Sequence, residues 1–158
     1  IATGSMNDYE YLEFEERQFS SVALLTQQPL TVVDRSGEPF AEVPETTYSL
    51  AIQYTFETQN GRIVSRLDYS YVDEIFMGLD AGAGQNVEVS SFDDYGLLSA
   101  RIAWTSPDEH YEIALYGTNL NDELYFMGAA SVGDSVGTFP VTPGPPRMYG
   151  AELRYNFF

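Results

Sequence analysis

The sequence predicts an all-β chain, an antiparallel sheet of the kind that crosses a membrane as part of a β-barrel. Three observations carry this. Apolar and polar residues alternate with period two through five segments. The connections between those segments are alternately long and short, as in transmembrane barrels. Aromatic residues, among them Tyr71, Trp104, Tyr111 and Phe157, fall near segment ends, where barrel girdles meet the bilayer interfaces.

The segments follow in order. An opening stretch from Thr3 to Glu16 reads as a strand with poor alternation and an acidic end. In "YSLAIQYTF", Tyr48, Leu50, Ile52, Tyr54 and Phe56 share one face, opposite Ser49, Ala51, Gln53 and Thr55. In "RIVSRLDYSYVDEIF", Leu67, Tyr69 and Tyr71 oppose Arg66, Asp68 and Ser70. In "YGLLSARIAWTS", Leu98, Ala100, Ile102 and Trp104 oppose Ser99, Arg101 and Ala103. "YEIALYGTNLNDELYF" sets Tyr111, Ile113 and Leu115 against Glu112, Ala114 and Tyr116. It then drifts out of register at Gly117, which predicts a bulge or the membrane boundary. "RMYGAELRYNFF" puts Tyr149, Ala151, Leu153, Tyr155 and Phe157 on one side, with Gly150, Glu152, Arg154 and Asn156 on the other.

Residues 16–45, 78–91 and 127–146 form the long connections. The short ones are residues 57–61, with an Asn60-Gly61 turn signal, and residues 106–110. A soluble meander has no reason to place every long loop at one end.

Composition bounds the function. The chain has 158 residues and no Cys, which excludes disulfides and thiolate metal sites. A single His excludes His-based metal clusters. With 24 acidic and 7 basic residues, it does not suit nucleic-acid phosphates or an anionic lipid surface. No apolar run approaches the ~18 residues of a membrane helix, and no basic n-region precedes an apolar h-region. A mean hydropathy of -0.21 fits a soluble β protein and a membrane barrel alike. The mixed charges of the polar face likewise suit both a water-filled lumen and the wet side of a soluble sheet.

At this point the residues resemble a family. "YGLLSARIAW", then "YEIALYGTNLNDELYF", then "PPRMYGAELRYNFF" look like the closing strands of a TonB-dependent outer-membrane receptor. Residues Tyr95 to Ile102, Gly117 to Tyr125 and Pro146 to Phe157 match that pattern, with Ser99 where Asn is usual and Phe158 one residue beyond the usual register.

The resemblance implies about six closing strands of a 22-stranded barrel in the bacterial outer membrane. Residues 1–158 then form its C-terminal part, with no plug domain. Strands outside the chain must complete the wall, because membrane barrels start at about eight strands. Those strands belong to a longer precursor or to a second polypeptide. The Met-less start at Ile1 fits a precursor, whereas Gly4-Ser5-Met6 fits a cloning remnant.

The implied function is capture and import of a scarce nutrient such as a siderophore complex, cobalamin or saccharide, without a cofactor. The implied partners are the remaining strands and plug, lipid and lipopolysaccharide, TonB through the plug, and the barrel-insertion machinery. Two other readings stay open: a structural subunit of a larger outer-membrane complex, and a soluble β-sandwich binding protein.

Candidate residues follow. Arg66, Asp68, Arg101, Glu112, Glu152 and Arg154 would line the lumen wall and meet the plug. Leu153, Tyr155, Phe157 and Phe158 would form the assembly signal. Phe19, Phe40 and Phe139, on long loops, are ligand-binding candidates, although general loop behaviour favours packing against neighbouring loops. Asn119, Asp122 and Glu123 read as groups that satisfy backbone atoms where a strand leaves the membrane. The carboxylates of Asp8, Glu10, Glu13, Glu15 and Glu16 read as a solvated strand tip or a Ca²⁺ site that lacks EF-hand spacing. His110 reads as a turn residue. No carboxylate pair or Ser/His pair has a spacing that suggests catalysis, so the chain is not expected to be an enzyme.

Overall fold

A computed structural model of the chain describes residues 1–18, 31–77, 91–129 and 140–157. Six strands form one antiparallel sheet in the order β1-β4-β5-β8-β9-β12. They are β1 (Ala2–Met6), β4 (Thr46–Thr58), β5 (Gly61–Val72), β8 (Tyr95–Thr105), β9 (Tyr111–Thr118) and β12 (Met148–Tyr155). Each pairs with its predecessor in the sheet, so the wall is an up-and-down meander. The 12 residues of β5 at about 3.3 Å each, tilted by ~45°, cross roughly 28 Å, close to a bilayer's hydrocarbon thickness.

The sheet's connections sort by end. Residues 59–60 and 106–110 turn tightly at one end. The three long connections leave from the other, and each carries a two-stranded hairpin. The first pairs β2 (Glu15–Gln18) with β3 (Thr31–Asp34), the second β6 (Ile75–Phe76) with β7 (Ser91–Phe92), and the third β10 (Phe126–Ala129) with β11 (Val141–Pro143).

The register makes the period-two reading physical. Leu50 faces Tyr69, Leu67 faces Ala100, Ile102 faces Leu115, and Ile113 faces Leu153. One face is therefore apolar from strand to strand, and nothing covers it among the described residues. Ile52 and Leu153 are each 72% exposed and Leu115 57%. A soluble sheet would bury such a face under a second layer. Among the described residues, buried apolar residues are few, and two of them, Ala103 and Ala114, are register partners on the opposite face.

Aromatic rings form two bands on the apolar face. Tyr48 stacks on Tyr71 at 4.9 Å near the long-loop end. Tyr111, Tyr155 and Phe157 form a chain of ring contacts of 5.0 and 4.9 Å near the short-turn end. Rings that are apolar in body and polar at the tip suit the two bilayer interfaces.

Two expectations need correction, and one of the two alternatives at Gly117 falls away. The opening strand ends at Met6 rather than Glu16. After it Tyr9 and Tyr11 turn towards Phe40, Phe14 stacks on Tyr11, and an aromatic cluster replaces the ladder. β5 stops at Val72, because Ile75-Phe76 pairs with β7 instead. No bulge occurs at Gly117, which pairs in register with both Ala100 and Tyr149. Its missing side chain makes room: a Cβ there would lie 2.6 Å from Leu120 Cδ2 and 3.1 Å from Tyr149 Cδ1. The drift in the pattern marks the strand's end at Thr118.

Candidate functional site

The polar face gathers the six ionic residues singled out from sequence. Arg66 and Arg101 are direct register partners, as are Glu112 and Arg154. Like charges side by side would repel, so each guanidinium turns to a carboxylate. Arg66 grips Asp68, with Nε 2.8 Å from Oδ2 and Nη2 2.6 Å from Oδ1. Arg101 Nη2 lies 2.8 Å from Glu112 Oε1 and 3.5 Å from Glu152 Oε2. Arg154 Nη2 donates to Glu152 Oε1 at 3.0 Å, and its Nη1 lies 3.9 Å from Glu112 Oε2. The last four residues form a closed ring of alternating charge.

The ring is half exposed, so solvent screens it. Arg101→Ala is expected to cost about 0.5–1 kcal/mol. It should also leave Glu112 and Glu152 in mutual repulsion, which salt relieves. Urea midpoints of the complete barrel at low and high salt check this: the deficit should shrink as salt rises.

At the long-loop end, the segment Gly117 to Tyr125 works as a staple. The Asn119 side chain is buried. Its Nδ2 donates to the Glu123 carbonyl at 2.8 Å and the Pro145 carbonyl at 3.2 Å, and its Oδ1 accepts from the Glu123 amide at 2.8 Å. Asn121 holds the neighbouring strand, accepting from Leu98 N and donating to Gly96 O. Asp122 pairs with Arg147 at 2.8 Å, and Tyr125 stacks on Tyr95. Asn119 thus satisfies backbone groups as expected. Asp122 does not, since its carboxylate meets Arg147. Asn121 and Arg147 were missed from sequence, because their partners are 23 to 25 residues away.

Phe40 lies at this same end in an aromatic cluster, 5.6 Å from Tyr9 and 4.6 Å from Tyr11, with Tyr11 4.8 Å from Phe14. Tyr9 and Phe14 remain exposed. Phe19 and Phe139 lie outside the described residues. Among the described residues, no group of three or more His, Cys, Asp or Glu side chains is placed to hold a metal ion.

At the short-turn end, Leu153, Tyr155 and Phe157 point outward, with Phe157 79% exposed. Phe158 lies outside the described residues. Asn156 ties the end of β12 to the β8–β9 turn. Its amide donates to the His110 carbonyl, its Nδ2 donates to the Glu109 carbonyl, and its own carbonyl lies 3.0 Å from His110 Nδ1. His110 therefore helps to hold the last strand, a role its sequence context did not reveal.

In the same turn, the Ser106 hydroxyl and the His110 amide both donate to Asp108 Oδ1, and they hold its carboxyl below the usual carboxylate range. A depressed folded-state pKa contributes stability at neutral pH that is lost as pH falls through the folded value. NMR titration of the Asp108 carboxyl carbon in micelles should show it ionising below the ordinary Asp range, and Ser106→Ala should raise that midpoint.

An antiparallel up-and-down wall with one uncovered apolar face, one ionic face and all long loops at one end has the fold of part of a β-barrel. Among solved structures it is similar to the crystal structure of the ferric yersiniabactin uptake receptor FyuA from Yersinia pestis. The TM-score is 0.65 at 18% identity, over 79% of this chain and 18% of that one. The chain therefore spans less than a fifth of the receptor it matches. No protein-family model and no curated protein matches the sequence. The barrel is not closed by these strands: β1 and β12 are its edges among the described residues.

Proposed function

We propose that this chain forms part of the wall of a TonB-dependent outer-membrane receptor that imports a scarce nutrient. One observation carries the reading: a wall of six adjoining antiparallel strands with one apolar and one ionic face, in a chain that matches a receptor structure with a TM-score of 0.65 over 79% of its length. Transport then belongs to the complete protein. A plug would rest against the ring of Arg101, Glu112, Glu152 and Arg154, whose half-exposed, mutually paired charges offer hydrogen bonds without a net charge to neutralise. TonB would act through that plug.

Open sheet edges in hydrocarbon cost several kcal/mol per unpaired backbone group, so β1 and β12 pair with further strands of the same barrel. The long-loop end faces the cell exterior, where the cluster around Phe40 is one surface for arriving cargo. The short-turn end faces the periplasm, where Leu153, Tyr155, Phe157 and Phe158 serve recognition by the insertion machinery.

The test is fractionation followed by electrophoresis with and without boiling. The complete protein should enter the outer-membrane fraction, require detergent for extraction and migrate faster unboiled. A compact monomer in plain buffer would overturn the reading. Uptake of the cargo should stop in cells lacking TonB.

A further inference from the structure

β12 follows β9 through residues 119–147, so no tight turn sets the register between them. Alternation leaves that register open as well, because a shift of two residues keeps every side chain on its own face. Counted from the observed pairs, one such shift sets Glu152 opposite Glu112, and like charges oppose it. The other sets Leu153 opposite Leu115, Tyr155 opposite Ile113 and Arg154 opposite Ala114. It keeps the apolar face apolar and puts no like charges across the ladder. The first half of β12 has pins of its own. Pro145 and Arg147 are bonded to Asn119 and Asp122, and the rings of Tyr149 and Tyr116 cover Gly117 and Gly150. A bulge of two residues beyond Gly150 would free the far half from those pins.

We propose that the turn between β8 and β9 is a register clasp, in which His110 and Asn156 position the last aromatic residues of the chain. The turn takes its shape from its own bonds. The Glu109 amide donates to the Ser106 carbonyl at 2.9 Å, and the Tyr111 amide to Ser106 Oγ at 3.0 Å. So held, it presents three groups to Asn156. The His110 carbonyl accepts from the Asn156 amide at 2.8 Å, and the Glu109 carbonyl accepts from Asn156 Nδ2 at 2.9 Å. The His110 ring donates from Nδ1 to the Asn156 carbonyl at 3.0 Å. All three bonds are lost in the shifted register, where Asn156 stands opposite Glu112. The shift would carry Phe157 about 7 Å along the sheet, at ~3.4 Å for each residue. Phe157 would then face Tyr111, in the place that Tyr155 holds now. The inference rests on the barrel reading, which sets this aromatic band at the periplasmic interface. There the clasp fixes the height at which the chain's end meets the bilayer surface and the next strand of the wall.

The test reads register by cross-linking in the complete barrel, refolded in detergent micelles and oxidised. This chain has no Cys, so introduced pairs report on it without background from its own residues. Ile113→Cys with Leu153→Cys closes in the observed register, and Ile113→Cys with Tyr155→Cys closes in the shifted one. The ratio of shifted to observed cross-link should rise about fivefold in Asn156→Ala and in His110→Ala, and about twentyfold when the two are combined. Thr58→Ala removes a hydroxyl bond from the other short turn and should leave the ratio unchanged. Where the combined variant fails to fold, as read by heat-modifiable migration, the single variants decide. An unchanged ratio in the single variants, or an equal rise in Thr58→Ala, would overturn the proposal. Failure of the unaltered barrel to show heat-modifiable migration would overturn the barrel reading instead, which separates the two.

Discussion

Asn119→Ala should destabilise the complete barrel by about 2–4 kcal/mol, because it removes a buried side chain that bonds three part-buried backbone groups. The Asn119 amide bridges two chain segments in the gap between the β9–β12 and β10–β11 ladders. It holds the Glu123 amide and carbonyl beyond the end of β9, and the Pro145 carbonyl ahead of β12. At 4% exposure, little water can replace it. Its backbone adds a second contribution. Asn119 has φ of 50°, a left-handed conformation that Asn tolerates better than Ala.

Asn119→Gly separates the two contributions, since Gly loses the bonds but accepts the conformation. It should be more stable than Asn119→Ala by about 1 kcal/mol. Arg147→Ala removes the exposed ion pair beside it and should cost no more than about 1 kcal/mol. Urea midpoints of the three variants in vesicles give the ranking. If Asn119→Ala proves as mild as Arg147→Ala, the staple is not what holds the loop end.

The parts of this fold legible in the sequence are those set by local, repeating chemistry. Alternation from Tyr48 to Phe56 or from Leu98 to Trp104 names a face without any knowledge of the partner strand, because the pleat imposes period two. Loop lengths gave the sidedness for the same reason. Arg66, Asp68, Arg101, Glu112, Glu152 and Arg154 could be placed on one face, but their pairing could not. Glu112 meets Arg101 across one ladder and Arg154 across the next, and only the register decides that.

Gly117 was ambiguous for a related reason. A break in alternation looks the same whether it marks a bulge or a strand end where a glycine yields its space to Leu120 and Tyr149. The opening strand misled because Tyr9, Tyr11 and Phe14 are good strand formers. Tyr9 and Tyr11 instead meet Phe40, about thirty residues away in sequence, and Phe14 stacks on Tyr11. His110 and Asn156 carried no local signal at all, since the bonds joining their segments span 46 and 47 residues.

Gly61→Val is the change expected to harm assembly most, at about 2–5 kcal/mol from backbone strain and overpacking together. Gly61 closes the β4–β5 turn with φ of 116°, opposite Thr58, whose hydroxyl donates to the Gly61 carbonyl at 2.6 Å. A Cβ there would collide with the Thr105 carbonyl and sit 2.9 Å from Trp104 Nε1. Trp104 now donates from that nitrogen to the Asn60 carbonyl at 2.9 Å, so the turn and the neighbouring strand share one contact. Gly37→Val isolates the strain. Gly37 has φ of 83° with nothing within 4 Å of a Cβ, so its cost should be about 1–3 kcal/mol from conformation alone.

The larger effect at Gly61 has a consequence beyond stability. This turn fixes the register of the two longest strands, and a slip of one residue exchanges the faces. Arg66 and Asp68 would then meet hydrocarbon, at about 2–4 kcal/mol for a basic residue at the bilayer midplane. A wall assembled that way does not insert. The expected result for Gly61→Val is loss of the fast-migrating unboiled band when the complete barrel is refolded into vesicles, while Gly37→Val retains it. Equal insertion of both variants would show that the register of the central hairpin is set elsewhere.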